Sequence, residues 1–105
     1  MSEPFPRLSP EVAAVRADLT ALRRRLHQEP ELAFAETRTA AAVAEYLAVP
    51  GITLKTGVAG TGVVATIRGE RPGRTLLVRA DMDALPIKEE TGAPYASRVA
   101  GVMHA

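Results

Sequence analysis

Two aspartates separated by one residue are the sharpest chemical feature of the sequence. Asp81 and Asp83 follow an apolar segment, residues 75–78, which we predict to be a central strand covered on both faces. Residues i and i+2 of an extended chain lie on one side, and the ligand-binding groups of open α/β sheets gather beyond the carboxyl ends of strands. Two carboxylates there can hold a cation or orient a metal-binding imidazole. The alternative, which these residues alone leave open, is that Asp81 caps a turn and Asp83 is solvated.

Basic side chains form a second group of candidates. Residues 23–25 are three consecutive arginines, and His27 follows them closely. Three consecutive helical residues spread over roughly 200° of a helix surface, so we expect a solvated face rather than a phosphate- or nucleic-acid-binding patch. For His27 we favour an interaction with the helix C-terminal dipole, or a hydrogen bond to the next loop, over metal ligation.

A glycine-rich segment lies at residues 57–62, with the sequence GVAGTG. Its glycine spacing differs from that of dinucleotide-binding loops, and the residues after it alternate like a strand rather than a helix. We therefore predict a hairpin-like connection.

The elements that position these groups begin with a helix. Ser9 as a cap, Pro10 in the first turn and Glu11 near the positive end of the dipole predict its start. Its end is expected near Gln28, because Pro30 disfavours helix at the residue before it. An apolar stripe at helical spacing is expected to pack on the protein's own sheet; it comprises Val12, Val15, Leu19, Leu22 and Leu26.

The rest of the chain predicts one more helix and then strands. The helix is expected over residues 37–48, and strands over 52–56, 63–68 and 75–78, with loop structure from Asp81 onward. Two helices followed by strands predict the opening part of a layered α/β domain.

Composition excludes several classes of protein. A chain of 105 residues fits one small domain, and 47% hydrophobic with 24% charged residues argues against disorder. The net charge of +1 argues against a dedicated nucleic-acid binder, and no apolar run approaches the roughly 20 residues that span a bilayer. Residues 1–6 do not resemble the start of a secretory signal, and cysteine is absent, so we expect a cytoplasmic protein.

Four motifs occur together in an order and spacing typical of one enzyme family. They are LRRRLH at residues 22–27 with PELAF at 30–34 and Glu36, GTGVVA at 60–65, RADMDALPI at 79–87 with its extension to Ser97, and GVMHA at 101–105. From about Leu19 onward, the chain resembles the amidohydrolase branch of the metallo-aminoacylase and carboxypeptidase family. Hippurate hydrolases and indole-acetyl-amino-acid hydrolases belong to this branch.

The resemblance implies that residues 1–105 are the N-terminal part of a layered α/β metallohydrolase catalytic domain. It implies a metal-dependent amidohydrolase or peptidase that hydrolyses N-acyl amino acids or similar amides. One or two divalent ions such as zinc or manganese polarise the carbonyl and supply hydroxide, and a glutamate acts as general base. The partners implied are a small-molecule substrate and, through a second domain, another copy in a homodimer, with no nucleic acid and no membrane.

Asp83 is the one site residue that the resemblance assigns. The wider family has a metal-binding histidine and an aspartate two residues apart at the end of a strand. Here Asp81 stands at the histidine's position and Asp83 at the aspartate's. We expect Asp83 to hold a metal ligand or to set the charge of the site, and the role of Asp81 stays open.

The end of the sequence departs from the family pattern. In this branch Met-His-Ala is followed by Cys-Gly-His-Asp, whose cysteine and histidine bind metal, whereas this sequence stops at Ala105. His104 belongs to the motif but is not a usual ligand. We therefore expect residues 1–105 to lack a complete metal site, the general base and the dimerisation domain, and to be inactive alone. The alternatives are a non-enzymatic interaction fragment, acting through an exposed sheet edge and helix stripe, and a non-functional truncated gene product.

Overall fold

Three helices open the fold that the computed structural model describes for residues 7–105. They are α1 (Pro10–Ala14), α2 (Arg16–Gln28) and α3 (Thr37–Leu47). The predicted helix start is confirmed, because the Ser9 hydroxyl accepts a hydrogen bond from the Val12 N–H at 3.3 Å. The expectation about a secretory signal falls on residues 1–6 and lies outside the described residues.

The single helix predicted up to Gln28 is divided at Val15. The Val15 N–H donates to the Val12 carbonyl at 3.2 Å, three residues back. This shorter spacing tightens the turn and separates α1 from α2. The second predicted helix is confirmed and ends at Leu47, one residue earlier than expected.

A β-hairpin follows the helices. Its strands β1 (Ile52–Val58) and β2 (Gly62–Ile67) pair antiparallel, with Ile52 opposite Ile67 and Val58 opposite Gly62. The glycine-rich segment is therefore the hairpin connection that the sequence predicts. A Cβ at Gly62 would stand 2.6 Å from the Val58 carbonyl oxygen, so the close approach of the strands requires glycine there.

Helix α3 covers the hairpin and contacts both strands. Two of its side chains are buried, Thr39 at 3% and Ala42 at 5% exposure. The expectation that the α1–α2 stripe packs on the sheet is wrong: Val12, Val15 and Leu19 are exposed, and the helix that contacts the strands is α3. A sheet of two strands is roughly 10 Å wide, which is about the diameter of one helix. The single helix α3 is therefore enough to cover one face of this sheet.

The central strand predicted at residues 75–78 is absent. Leu76, Leu77 and Val78 are 80–87% exposed, and the sheet formed within residues 7–105 has two strands, neither of which pairs with this segment. An apolar sequence indicates that a segment is suited to a buried strand. The strand itself forms only where neighbours supply main-chain hydrogen bonds.

The fold is flat and does not close around a core. Its radius of gyration is 16.4 Å and its extents are 48 × 47 × 20 Å, whereas a compact domain of this length has a radius of about 13 Å. In the described part of the chain, Pro30, Ala42 and Ala84 are the buried apolar residues. No helix in residues 7–105 has the length and apolar character needed to cross a bilayer.

Main-chain hydrogen bonds hold the loops that follow the hairpin. The Ala84 N–H donates to the Glu31 carbonyl at 2.8 Å, and Leu85 and Met103 exchange two hydrogen bonds of 2.9 and 3.1 Å. The Arg98 N–H donates to the carbonyl of Gln28 at 2.9 Å. These contacts bring the PELAF, RADMDALPI and GVMHA segments together near the end of α2.

Candidate functional site

A cavity of about 540 Å³ lies between α2 and the loop residues 81–82 and 104–105. Leucines of α2 give it an apolar side, and two histidines, an aspartate, an arginine and a threonine contribute polar groups. The lining residues are Leu19, Leu22, Arg23, Leu26, His27, Thr39, Asp81, Met82, His104 and Ala105.

Of the two aspartates of the sequence prediction, Asp81 lines this cavity and Asp83 does not. Asp81 lines the cavity and accepts a hydrogen bond of 3.0 Å from the Arg79 guanidinium, in an exposed ion pair. Asp83 is exposed, and no side chain within residues 7–105 forms a hydrogen bond or ion pair with it. Its neighbour Ala84 is 2% exposed and bonded to the Glu31 carbonyl, so the backbone at Asp83 is held firmly.

His27 contacts a loop far along the chain. Its Nε2 donates to Glu89 Oε1 at 2.8 Å, 62 residues away, so the predicted hydrogen bond to the next loop is wrong. The Glu89 side chain is 5% exposed and the His27 side chain 15%. Hydrogen bonds from the Thr91 hydroxyl, the Ser97 N–H and His27 hold the pKa of Glu89 below its ordinary value, against the opposing effect of burial.

His104 lies beside His27 and fastens the segment that carries the aspartates. Its Nε2 donates to the Met82 carbonyl oxygen at 3.2 Å, and Met82 is the residue between Asp81 and Asp83. The ring centres of His104 and His27 are 6.1 Å apart, tilted by 42°. Tyr95 packs its ring against His27 on an edge, with centres 6.0 Å apart.

The prediction that the three arginines at residues 23–25 do not form one compact patch is confirmed. Arg23 lines the cavity, Arg24 stacks its guanidinium 4.6 Å from the centre of the Tyr95 ring, and Arg25 lies beside α3. The Arg24 contact is a cation–π interaction that fastens the loop around Tyr95 to α2.

Glu31 is a structural residue that sequence reasoning missed. Its carboxylate accepts hydrogen bonds from the Thr39 N–H at 2.6 Å, the Thr39 hydroxyl at 2.8 Å and the Arg38 N–H at 3.1 Å. Glu36, the residue at the N-terminus of α3, makes no side-chain cap. Glu31 takes that role, because its carboxylate accepts hydrogen bonds from main-chain N–H groups of the first turn. Burial opposes ionisation, but the hydrogen bonds from Thr39 and Arg38 and the Arg38 charge together outweigh it. The pKa of Glu31 lies below its ordinary value of 4.5.

Glu89 was also missed as a candidate. Its only sequence signal is its place in the EETG extension of the aspartate motif. Its partners His27 and Ser97 come from different segments, and only the fold brings them together.

A complete metal centre is not formed by the side chains described. Among residues 7–105, no group of three or more histidine, aspartate or glutamate side chains is placed to hold one ion. The possible metal donors that line the cavity are two imidazoles and one carboxylate paired with Arg79, which is a partial donor set.

Comparisons with known proteins show what the chain is similar to. The YhaA protein of Bacillus subtilis is 50% identical over 88 residues, which are 84% of this chain and 22% of that protein. The N-acyl-L-amino acid amidohydrolase of Geobacillus stearothermophilus is 47% identical over 94 residues, 90% of this chain and 25% of that one. The crystal structure of the B. subtilis YXEP protein, described as a dinuclear metal-binding peptidase of the M20 family, superposes with a TM-score of 0.79 at 41% identity. The chain is similar to amidohydrolases and to a peptidase of the M20 family.

The chain matches only part of the length of these proteins. The YXEP superposition covers 88% of this chain and 26% of that structure, so the chain spans about a quarter of the M20 proteins it matches. No family model matches the chain. The α/β fold of this chain, with three helices and a two-stranded sheet, corresponds to one part of that structure.

Proposed function

We propose that this chain forms part of the catalytic domain of a metal-dependent amidohydrolase that acts on N-acyl amino acids or similar amides. The observation that carries the proposal is the 47% identity with an N-acyl-L-amino acid amidohydrolase over 90% of the chain. The superposition on an M20 peptidase described as dinuclear and metal-binding supports it.

A divalent ion such as zinc or manganese supplies Lewis-acid activation of the amide in an enzyme of this kind. The donor groups placed by residues 7–105 do not fit a complete centre, since no three of them converge. We therefore derive no reaction step through the metal, and assign to this chain the positioning of one part of the site.

That positioning centres on Asp83. The Ala84 amide and the Met82 carbonyl, on either side of Asp83, are fixed by Glu31 and His104. An exposed carboxylate on a fixed backbone is suited to holding the imidazole of a metal ligand, the role we propose for Asp83. Asp81 is partly neutralised by Arg79, which makes it less suited to the same role.

The exposed apolar segment at residues 76–78 supports the proposal that this chain is part of a larger domain. Three large side chains that are 80–87% exposed are unusual in a self-contained fold. About three quarters of each M20 relative lies outside the match. We propose that the remainder of an M20 catalytic domain covers this segment, that a further domain carries the homodimer contact, and that residues 1–105 alone have no amidase activity.

A chimaeric enzyme tests the proposal. The matching 94-residue segment of the Geobacillus amidohydrolase is replaced by the corresponding residues of this chain, and hydrolysis of N-acetyl amino acids is measured with and without chelator. Chelator-sensitive turnover by the chimaera, and none by the 105-residue chain, is expected. A chimaera that folds and binds metal but does not hydrolyse these amides contradicts the proposed function.

The role of Asp83 is tested in the same chimaera. Asp83→Asn is expected to weaken metal affinity by about 10–100-fold, as the loss of a group that holds a metal ligand does. Glu90→Gln, at an exposed carboxylate of the same loop, is the matched control and is expected to have no effect. Equal metal affinity in the two variants contradicts the role of Asp83.

A non-enzymatic interaction fragment is the second candidate, favoured by the same exposed segment at residues 76–78. The two candidates differ in the chimaera: a pure interaction fragment gives no metal-dependent turnover in that context.

A further inference from the structure

We propose that His27 and His104 form a two-imidazole binding site for a divalent transition-metal ion at the cavity beside α2. Neither residue is among the metal ligands that the family resemblance implies, and the site does not depend on the proposed amidohydrolase function. The ion would be held by two protein nitrogens, with water completing its coordination.

The hydrogen bonds of the two rings decide which nitrogen of each carries the proton. The Nε2 of His104 faces the Met82 carbonyl, which can only accept, so this nitrogen carries the hydrogen. The Nε2 of His27 faces a Glu89 oxygen that also receives the Ser97 N–H, and the other oxygen of Glu89 receives the Thr91 hydroxyl. A carboxylate surrounded by donors requires a donor from His27 as well.

In the neutral form of each ring, the lone pair is therefore on Nδ1. No hydrogen bond to either Nδ1 occurs in the described part of the chain. An imidazole that binds a metal through one nitrogen usually donates the other N–H to a carboxylate or a main-chain carbonyl. Here His27 donates to the Glu89 carboxylate, and His104 donates to the Met82 main-chain carbonyl.

The spacing of the rings fits one shared ion. With a metal–nitrogen distance of about 2.1 Å and about 1.2 Å from that nitrogen to the ring centre, two rings on one ion have centres roughly 5–6.5 Å apart, depending on the angle at the metal. The ring centres of His27 and His104 are 6.1 Å apart. Both rings line the same cavity, whose volume of about 540 Å³ leaves room for the waters that an open site requires.

The donor type indicates the class of ion. Imidazole nitrogen suits zinc, nickel and copper ions, whereas magnesium and calcium prefer oxygen ligands. With two protein ligands the site is expected to be weaker than a structural zinc site and to exchange its ion readily. Asp81 lines the same cavity but is engaged by Arg79, so we assign it no ligand role.

Zinc binding to the full 105-residue chain is the test. Calorimetry at neutral pH is expected to show one Zn²⁺ per chain, and nitrogen-15 NMR of the rings is expected to show hydrogen on Nε2 before and after, with zinc on Nδ1 of both. His27→Gln and His104→Gln are each expected to lower the affinity at least about 10-fold. Glu89→Gln is expected to lower it about 10–100-fold through the orientation of His27.

Glu90→Gln is the matched control, with unchanged affinity expected, because Glu90 is an exposed carboxylate next to Glu89. The NMR experiment uses the unmodified chain, so it decides the question even where a histidine variant fails to fold. The proposal is overturned by zinc bound with equal affinity after either histidine is replaced, by coordination through Nε2, or by ring resonances that do not respond to millimolar zinc.

Discussion

Replacement of Glu31 tests whether a residue outside α3 caps that helix. In Glu31→Ala, the N–H groups of Arg38 and Thr39 and the Thr39 hydroxyl lose their acceptor. Loss of a helix cap costs about 1 kcal/mol, and Thr39, which is 3% exposed, is left with buried donors that add about 1–2 kcal/mol. The expected loss is thus about 2–3 kcal/mol, or a fall in Tm of about 10–20 °C for a chain of this size.

The effect depends on pH in a defined direction. Because the pKa of Glu31 is lowered in the folded state, its stabilisation is fully present above its ordinary pKa of 4.5 and is lost as pH falls through the lower folded value. Glu31→Gln keeps one carbonyl oxygen for Thr39 but has no charge, so it is expected to cost about 1 kcal/mol at neutral pH and less in acid. The Arg38 ion pair adds little, since its N–O distance is 3.6 Å and the arginine is 65% exposed.

Thermal unfolding followed by circular dichroism from neutral pH down to about pH 3 measures these differences. Glu45→Gln is the matched control, because Glu45 is an exposed carboxylate on α3, and a change within about 0.5 kcal/mol is expected. A Glu31→Ala variant as stable as the control, or a Glu31→Gln difference that does not shrink in acid, would refute the capping role.

Three further substitutions probe the hairpin, the anchored loop and the exposed segment. Gly62→Ala is expected to lower the stability by about 1–3 kcal/mol in thermal unfolding, because its Cβ would stand 2.6 Å from the Val58 carbonyl oxygen. The control Gly73→Ala meets no atom within 4 Å, and equal effects at the two glycines would contradict the argument. Ala84→Leu is expected to cost at least about 1–3 kcal/mol in the same assay, since Ala84 is 2% exposed; a neutral result would show that the loop is not closely packed there. Leu77→Lys is expected to reduce self-association in sedimentation velocity without lowering Tm, because Leu77 is 87% exposed, and unchanged association would exclude this segment as its cause.

Local sequence patterns predict the elements whose causes are local. The start of α1 follows from Ser9, whose hydroxyl acts three residues away, and the hairpin follows from the glycines between β1 and β2. The cap of α3 was not predicted, because Glu31 lies six residues before the first helical residue and bonds through the fold rather than through a capping motif.

Predictions that depend on partners far apart in the sequence were less accurate. Residues 75–78 have the composition of a buried strand, but pairing is a property of two segments, and the described sheet provides no second one. For His27 the sequence favoured an interaction with the helix C-terminal dipole or a hydrogen bond to the next loop, whereas its hydrogen-bond partner Glu89 is 62 residues away. No periodicity in the sequence encodes such a contact, because both residues are single polar groups in otherwise ordinary segments.

Polar and main-chain contacts, rather than a hydrophobic core, hold the candidate site together. The buried apolar residues of the described chain are one proline and two alanines, which together bury little area. The loops around the cavity are instead tied by the Ala84–Glu31 and Arg98–Gln28 main-chain bonds and by the His27–Glu89 pair. Each such bond contributes about 1 kcal/mol, and more where a charge is involved. Because these bonds tie the loops to α2 and to one another, they hold the backbone on either side of Asp83 in place without a large apolar core.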